Sequence, residues 1–218
     1  MVECCIFDLD GTLLQTLDTI TYHLNNALEG EGLKRIDVTD TAAFIGNGAR
    51  KLVKRAVNVS GDVPEAVYER VLNTYNEAYN ADPLPLTYPY PGITELLEAL
   101  SLKGVRLAIV TNKPEITAKQ LASHFFPGKF LYVRGGRAGA VLKPDPEDTL
   151  EVIDAFGASL DKTAFIGDTS VDILTGKNAG VTSIGVSWGF RDKNELLRAE
   201  ADFAVDTADE LLRVLERI

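Results

Sequence analysis

The stretch CIFDLDGTLLQT, residues 5–16, sets two aspartates one residue apart directly after an apolar run, followed by a glycine and a threonine. Residues 2–7 predict a strand, so Asp8 and Asp10 stand where that strand ends. Carboxylates crowded there raise one another's pKa and weaken the fold unless a cation shares them. Whether a cation is shared depends on what the rest of the chain brings to the same place.

From residue 88 onward, short apolar runs alternate with amphipathic ones, the pattern of strands joined by crossover helices into a parallel sheet. The strand candidates are VRLAIV at 105–110, KFLYV at 129–133, TAFIG at 163–167, TSIGV at 182–186 and DFAV at 202–205. Their nearly unbroken apolar character suits strands covered on both faces. Between them, Ile93, Leu96, Leu97 and Leu100 recur at helical spacing with Gly104 as a stop. Pro114 and Pro146 suit first helical turns, and Asp145 with Asp148 or Thr207 with Glu210 offer N-caps.

Residues 15–83 read differently, as mostly helical pattern. Leu17, Ile20, Leu24, Ala27 and Leu28 share one helical face, and Val67, Val71, Tyr75 and Ala78 share another. The first strand needs the later ones to complete a sheet, so this segment is an insertion and not a tandem domain. The expected fold is an α/β, Rossmann-like parallel sheet core formed by residues 1–14 and 84–218, with an α-helical cap inserted at 15–83.

A chain of 218 residues with net charge -10 lacks the concentrated Lys and Arg that a nucleic-acid or anionic-membrane surface requires. No secretory leader and no apolar run of spanning length is present, so a cytoplasmic protein, monomer or homodimer, is expected. Cys4 and Cys5 are adjacent in one apolar run. That placement disfavours a mutual disulfide and predicts two small buried strand residues.

In parallel sheets, ligands bind outside the carboxyl ends of the strands. Past the first strand come Asp8 and Asp10; past VRLAIV come Thr111, Asn112 and Lys113; past TAFIG come Asp168 and, four residues on, Asp172; Lys143 precedes the helix near Pro146. Four carboxylates with a lysine and a hydroxyl suit a hard divalent cation such as Mg2+ and a phosphate bound beside it. The constellation points to phosphoryl transfer on a small phosphorylated metabolite.

The segments DLDGT at 8–12, VTN at 110–112, KP at 143–144 and GDTSVD at 167–172 resemble, in order and spacing, the four motifs of the haloacid dehalogenase superfamily. FIGNGAR at 44–50 and NAGVTSIGVSWGF at 178–190 are similar to its phosphoglycolate phosphatase branch. The resemblance implies Asp8 as nucleophile, Asp10 as general acid and then base, and Thr111, Asn112 and Lys143 as phosphate-binding groups. It also implies Mg2+ held by Asp8, the Asp10 backbone carbonyl, Asp168 and, directly or through water, Asp172. Gly11 suits a sharp turn exposing backbone N–H groups to phosphate, with Thr12 bracing the loop. An acid at position 10 indicates a phosphatase or phosphomutase over a dehalogenase or transport ATPase.

Other readings attach to several of these residues. Asp172 suits early-helix acid placement as well as the site, and Asn112 and Lys113 suit helix-cap neighbours. Arg50 could reach a substrate carboxylate or lie on a solvated helix face with Lys51, Lys54 and Arg55. GGRAGA at 135–140 reads as a flexible approach to Lys143, Trp188 as a packing residue, and His23 and His124 as helix residues without metal partners. The competing functions are a sugar phosphomutase such as a beta-phosphoglucomutase, a pyrophosphatase or nucleotidase, and a receiver-type phospho-switch, which would have no use for the cap.

Overall fold

The computed structural model describes residues 2–218. It forms two units, one made of the chain up to Gln15 together with Pro89–Ile218, the other of Thr16–Tyr88. The chain runs through β1 (Cys4–Phe7), β2 (Leu14–Gln15) and the helices α1 (Leu17–Gly30), α2 (Val38–Phe44), α3 (Ala49–Asn58) and α4 (Glu65–Ala81). It continues through β3 (Tyr88–Pro89), α5 (Ile93–Leu102), β4 (Arg106–Pro114), α6 (Glu115–Phe125), β5 (Tyr132–Gly136) and α7 (Glu147–Phe156). The last elements are β6 (Thr163–Gly167), α8 (Ser170–Ala179), β7 (Thr182–Val186), α9 (Lys193–Arg198), β8 (Phe203–Val205) and α10 (Ala208–Arg217).

The first unit is a six-stranded sheet in the order β5-β4-β1-β6-β7-β8, every pair parallel. Side chains alternate faces along β1: Cys5 and Phe7 enter one core with Leu97, Leu121 and Leu211, while Cys4 and Ile6 enter another with Val152, Ile153 and Phe165. Helices α5, α6 and α10 cover the first face, and α7 with the end of α8 covers the second. The central strands β1 and β6 are buried on both faces, which is why their runs are almost wholly apolar. Burying a side chain such as Phe7 contributes roughly 2 kcal/mol or more.

This alternation also settles the cysteines: adjacent strand residues point to opposite faces, and both thiols are free and buried. Burial pushes Cys4 up to about 11 and Cys5 well above the usual thiol range.

Two strand assignments shift. The strand expected at 129–133 forms at Tyr132–Gly136. Phe130 is apolar because it packs edge-on to Phe7 and Phe126, with ring centroids 6.3 and 5.9 Å away, from the turn before the strand. The glycines at 135 and 136 end this strand and so are not a flexible approach: a Cβ at Gly135 would lie 2.6 Å from the Lys113 carbonyl oxygen. The strand begun by VRLAIV extends through Thr111, Asn112 and Lys113 to Pro114, with a register shift against β5 between Val110 and Pro114. Thr207 caps α10 as expected, its Oγ1 accepting from Glu210 N, whereas Pro146 occupies the cap of α7 and Asp145 accepts from Glu147 N.

The second unit is helical. Ile20, Leu24 and Leu28 of α1 pack with Leu52, Val53 and Ala56 of α3 and with Tyr68, Leu72 and Tyr75 of α4. Among the described residues no helix is long and apolar enough to cross a membrane.

Candidate active site

The central strands β1, β4 and β6 deliver their carboxyl ends to one place. Asp8 follows β1 and its N–H donates to the Ile166 carbonyl of β6, which fixes its backbone (2.8 Å). Asp168 follows β6 and is fully buried; Asp172 lies in the first turn of α8. Ligand oxygens of Asp8, Asp168 and Asp172 all lie within 4.8 Å of one another. Lys143 Nζ joins them, 2.9 Å from Asp8 Oδ1 and 2.6 Å from Asp172 Oδ1.

Three carboxylates and one ammonium leave a formal charge of -2 when all are ionised. Burial, reinforced by Asp172 and resisted by Lys143, pushes Asp8 up to about 6. Burial and repulsion from Asp172 and Asp8 raise Asp168 well above the usual carboxylate range. Lys143 shows the complement: burial alone would lower it, but attraction to Asp172 and Asp8 prevails and takes it up to about 12. Asp8 Oδ1 faces the Lys143 ammonium yet has no hydrogen-bond donor aligned on it. An excess of negative charge and an under-satisfied buried carboxylate oxygen fit a hard divalent cation with oxygen ligands.

Asp172 serves two purposes at once. Its Oδ2 accepts from the N–H (3.0 Å) and hydroxyl (2.7 Å) of Thr169, a capping box that starts α8, while its Oδ1 holds Lys143. Asp172 therefore starts α8 and at the same time holds the Lys143 ammonium. Asp10 stands apart from the three-carboxylate cluster, and both its oxygens accept from Lys113 Nζ.

The loops around Asp168 are built to let backbone approach it. Gly11 has φ +84, and a Cβ there would lie 2.3 Å from Asp168 Oδ2. A Cβ at Gly189 would meet the Gly11 carbonyl oxygen at 2.3 Å, and one at Gly167 would meet the Asp172 side chain at 2.2 Å. Thr12 Oγ1 donates to Asp168 Oδ1 (3.2 Å), so its bracing acts on that aspartate, and Phe190 N donates to Asp168 Oδ2 (2.8 Å). Trp188 is more than a packing residue, since its indole N–H donates to the Thr12 carbonyl (3.0 Å).

Asn112 clasps the backbone of Lys143 with both ends of its amide: Nδ2 donates to the Lys143 carbonyl (3.1 Å) and Oδ1 accepts from Lys143 N (2.8 Å). Its side chain therefore positions the lysine, leaving the backbone at 112 for any direct phosphate contact. The sequence placed Lys113 past VRLAIV, Gly167 in the GDTSVD segment and Gly189 with Phe190 in NAGVTSIGVSWGF, but gave none of them a role in the site. The glycines right after TAFI and before Phe190 were visible signals; the buried pairing of Lys113 was not.

A family model described as haloacid dehalogenase-like hydrolase matches residues 5–186. The chain belongs to that family. A phosphoglycolate phosphatase of Agrobacterium fabrum is 36% identical over 203 residues, covering 92% of this chain and 87% of its own. One from Rhodospirillum rubrum is 35% identical over 196 residues, covering 87% and 81%. A crystal structure from Lactobacillus delbrueckii subsp. bulgaricus superposes with a TM-score of 0.92 at 35% identity over 99% of each chain. With these relatives, the chain is an enzyme of the phosphoric monoester hydrolase class.

In this haloacid dehalogenase-like hydrolase the helical unit occupies Arg50, Lys54 and Arg55 with partners of its own. Arg50 Nη2 lies 2.5 Å from Glu69 Oε1 on the surface, with its guanidinium over the Tyr68 ring. Lys54 pairs with Glu65, and Arg55 donates to the Phe44 carbonyl and Asn47 Oδ1, holding the loop that contains GNG. His23 is buried and its Nε2 donates to the Asp82 carbonyl, and neither histidine joins the carboxylate cluster.

Proposed function

We propose that this protein is a Mg2+-dependent phosphatase of the cytoplasm that hydrolyses a small phosphate monoester of the phosphoglycolate type through an aspartyl-phosphate on Asp8. The observation that carries the reading is the buried cluster of Asp8, Asp168 and Asp172 around Lys143, negative overall, at the carboxyl ends of the central strands. Its substrate class follows the relatives named phosphoglycolate phosphatase.

In the first step an Asp8 oxygen attacks phosphorus, and the bond from phosphorus to the ester oxygen breaks with its electron pair on that oxygen. Asp10, protonated, hands its proton to the leaving alkoxide. In the second step water attacks phosphorus, its proton passes to Asp10, and the bond to Asp8 breaks, restoring the carboxylate. Lys143 offsets the charge of nucleophile and phosphoryl group throughout, and Thr111 with the Asn112 backbone would donate to phosphate oxygens. Mg2+, held by Asp8, Asp168, Asp172 and the Asp10 carbonyl, would supply Lewis-acid neutralisation of the phosphate.

The test is phosphate release from phosphoglycolate, pyrophosphate, sugar phosphates and nucleoside monophosphates, with Mg2+ and with EDTA. The expected outcome is Mg2+-dependent release from small monoesters, an Asp8 adduct detectable by mass spectrometry after acid quench, and loss of both in Asp8→Asn. Isomer formation without free phosphate would indicate a mutase, and a fully active Asp8→Asn would exclude the covalent route.

A further inference from the structure

Lys113 occupies a place that a lysine takes only with a partner. Its side chain is 2% exposed, and its ammonium sits 2.9 and 3.0 Å from the two oxygens of Asp10, a residue 103 positions away in the chain. A buried ammonium that meets both oxygens of one carboxylate holds that carboxylate's plane as well as its position. The backbone beneath it is also constrained. Lys113 N donates to Thr111 Oγ1 at 3.3 Å, and the Lys113 carbonyl lies so close to β5 that only glycine fits at 135.

We infer that Lys113 is the positioning residue for Asp10, orienting the carboxylate that exchanges protons with the leaving group and the water. The inference rests on the phosphatase reading and adds a residue to it. Lys143 and Lys113 then divide the work: the first pairs with Asp8 and Asp172, the second with both oxygens of Asp10. Lys113 acts on turnover through Asp10, and not by contact with the phosphoryl group.

A double-mutant cycle tests this on the full chain with Mg2+, with phosphoglycolate and p-nitrophenyl phosphate as probes. Asp10→Asn should lower kcat for phosphoglycolate by about 10²- to 10⁴-fold, the usual contribution of a general acid–base. Lys113→Met should lower it by about 10- to 100-fold with KM changed less than about threefold, and the double variant should fall no further than Asp10→Asn. The burst of p-nitrophenol, a leaving group that departs without a proton, should survive in Lys113→Met. A general packing defect would abolish it. If Lys113→Met does not fold, Lys113→Gln carries the same cycle. Losses that multiply in the double variant, or wild-type kcat in Lys113→Met, overturn the inference while leaving the phosphatase reading intact. A wild-type protein inactive on both esters overturns the two together.

Discussion

Replacing Asp8 with asparagine should make the cation-free protein more stable. Asp8 ordinarily titrates at 3.8 and is pushed up to about 6 in the fold, first by burial and then by Asp172. Between those values the folded state binds more protons than the unfolded one, so this group's effect is to lower stability as pH rises from about 4 to about 6. Above that window the ionised carboxylate costs about 3 kcal/mol, and at pH 4.5 about 1 kcal/mol. Asp8→Asn cannot ionise and removes that cost. For a chain of this size, each kcal/mol moves the melting temperature by roughly 2–4 °C. In EDTA the variant should therefore melt about 6–12 °C above wild type at pH 8, with the gap shrinking to about a third at pH 4.5. Calorimetry or circular dichroism melts at both pH values measure it. Saturating Mg2+ should stabilise wild type more than Asp8→Asn and narrow or reverse the order, as the proposed ligand role of Asp8 requires. A melting temperature for Asp8→Asn equal to or below wild type at pH 8 in EDTA would refute the charge accounting of the cluster.

Gly189→Ala forces a Cβ to within 2.3 Å of the Gly11 carbonyl oxygen and 2.4 Å of the Asp168 Cβ. It should cost about 1–3 kcal/mol in denaturant melts and lower phosphate release at least about tenfold. Gly104→Ala is the control: φ is +76 but nothing lies within 4 Å, so about 1 kcal/mol is lost and kcat holds. Asn112→Asp puts an oxygen opposite the Lys143 carbonyl in place of the amide donor. A loss of about 1–3 kcal/mol should follow, with kcat reduced by misplacement of Lys143; unchanged kinetics would remove the clasp from the mechanism. Arg50→Ala should leave KM unchanged for carboxylate-bearing and neutral esters alike, because Glu69 and the Tyr68 ring hold the guanidinium on the surface, and a selective rise for carboxylate-bearing esters would restore the substrate reading of Arg50. Its exposed pair with Glu69 should matter little to melting, at most about 1 kcal/mol.

Much of the core was readable in the primary structure because each signal is local. A strand buried on both faces must be apolar along its length, as β1, β6 and β7 are, and residues that end such strands in a parallel sheet must meet on one side. Asp8, Asp168 and Lys143 could thus be grouped from their order alone. Phe130 misled the placement of β5 because a ring that fills the core from a turn is as apolar as one in a strand. What stayed hidden depends on pairs far apart in the chain: Lys113 with Asp10, Asn112 with the Lys143 backbone, and Gly189 against Gly11. Residue type and spacing carry charge and periodicity, and so they announced the sheet and its acidic mouth. Which lysine neutralises which aspartate, and which glycine must lack a side chain, depends on ångström-scale distances that exist only once the strands have come together.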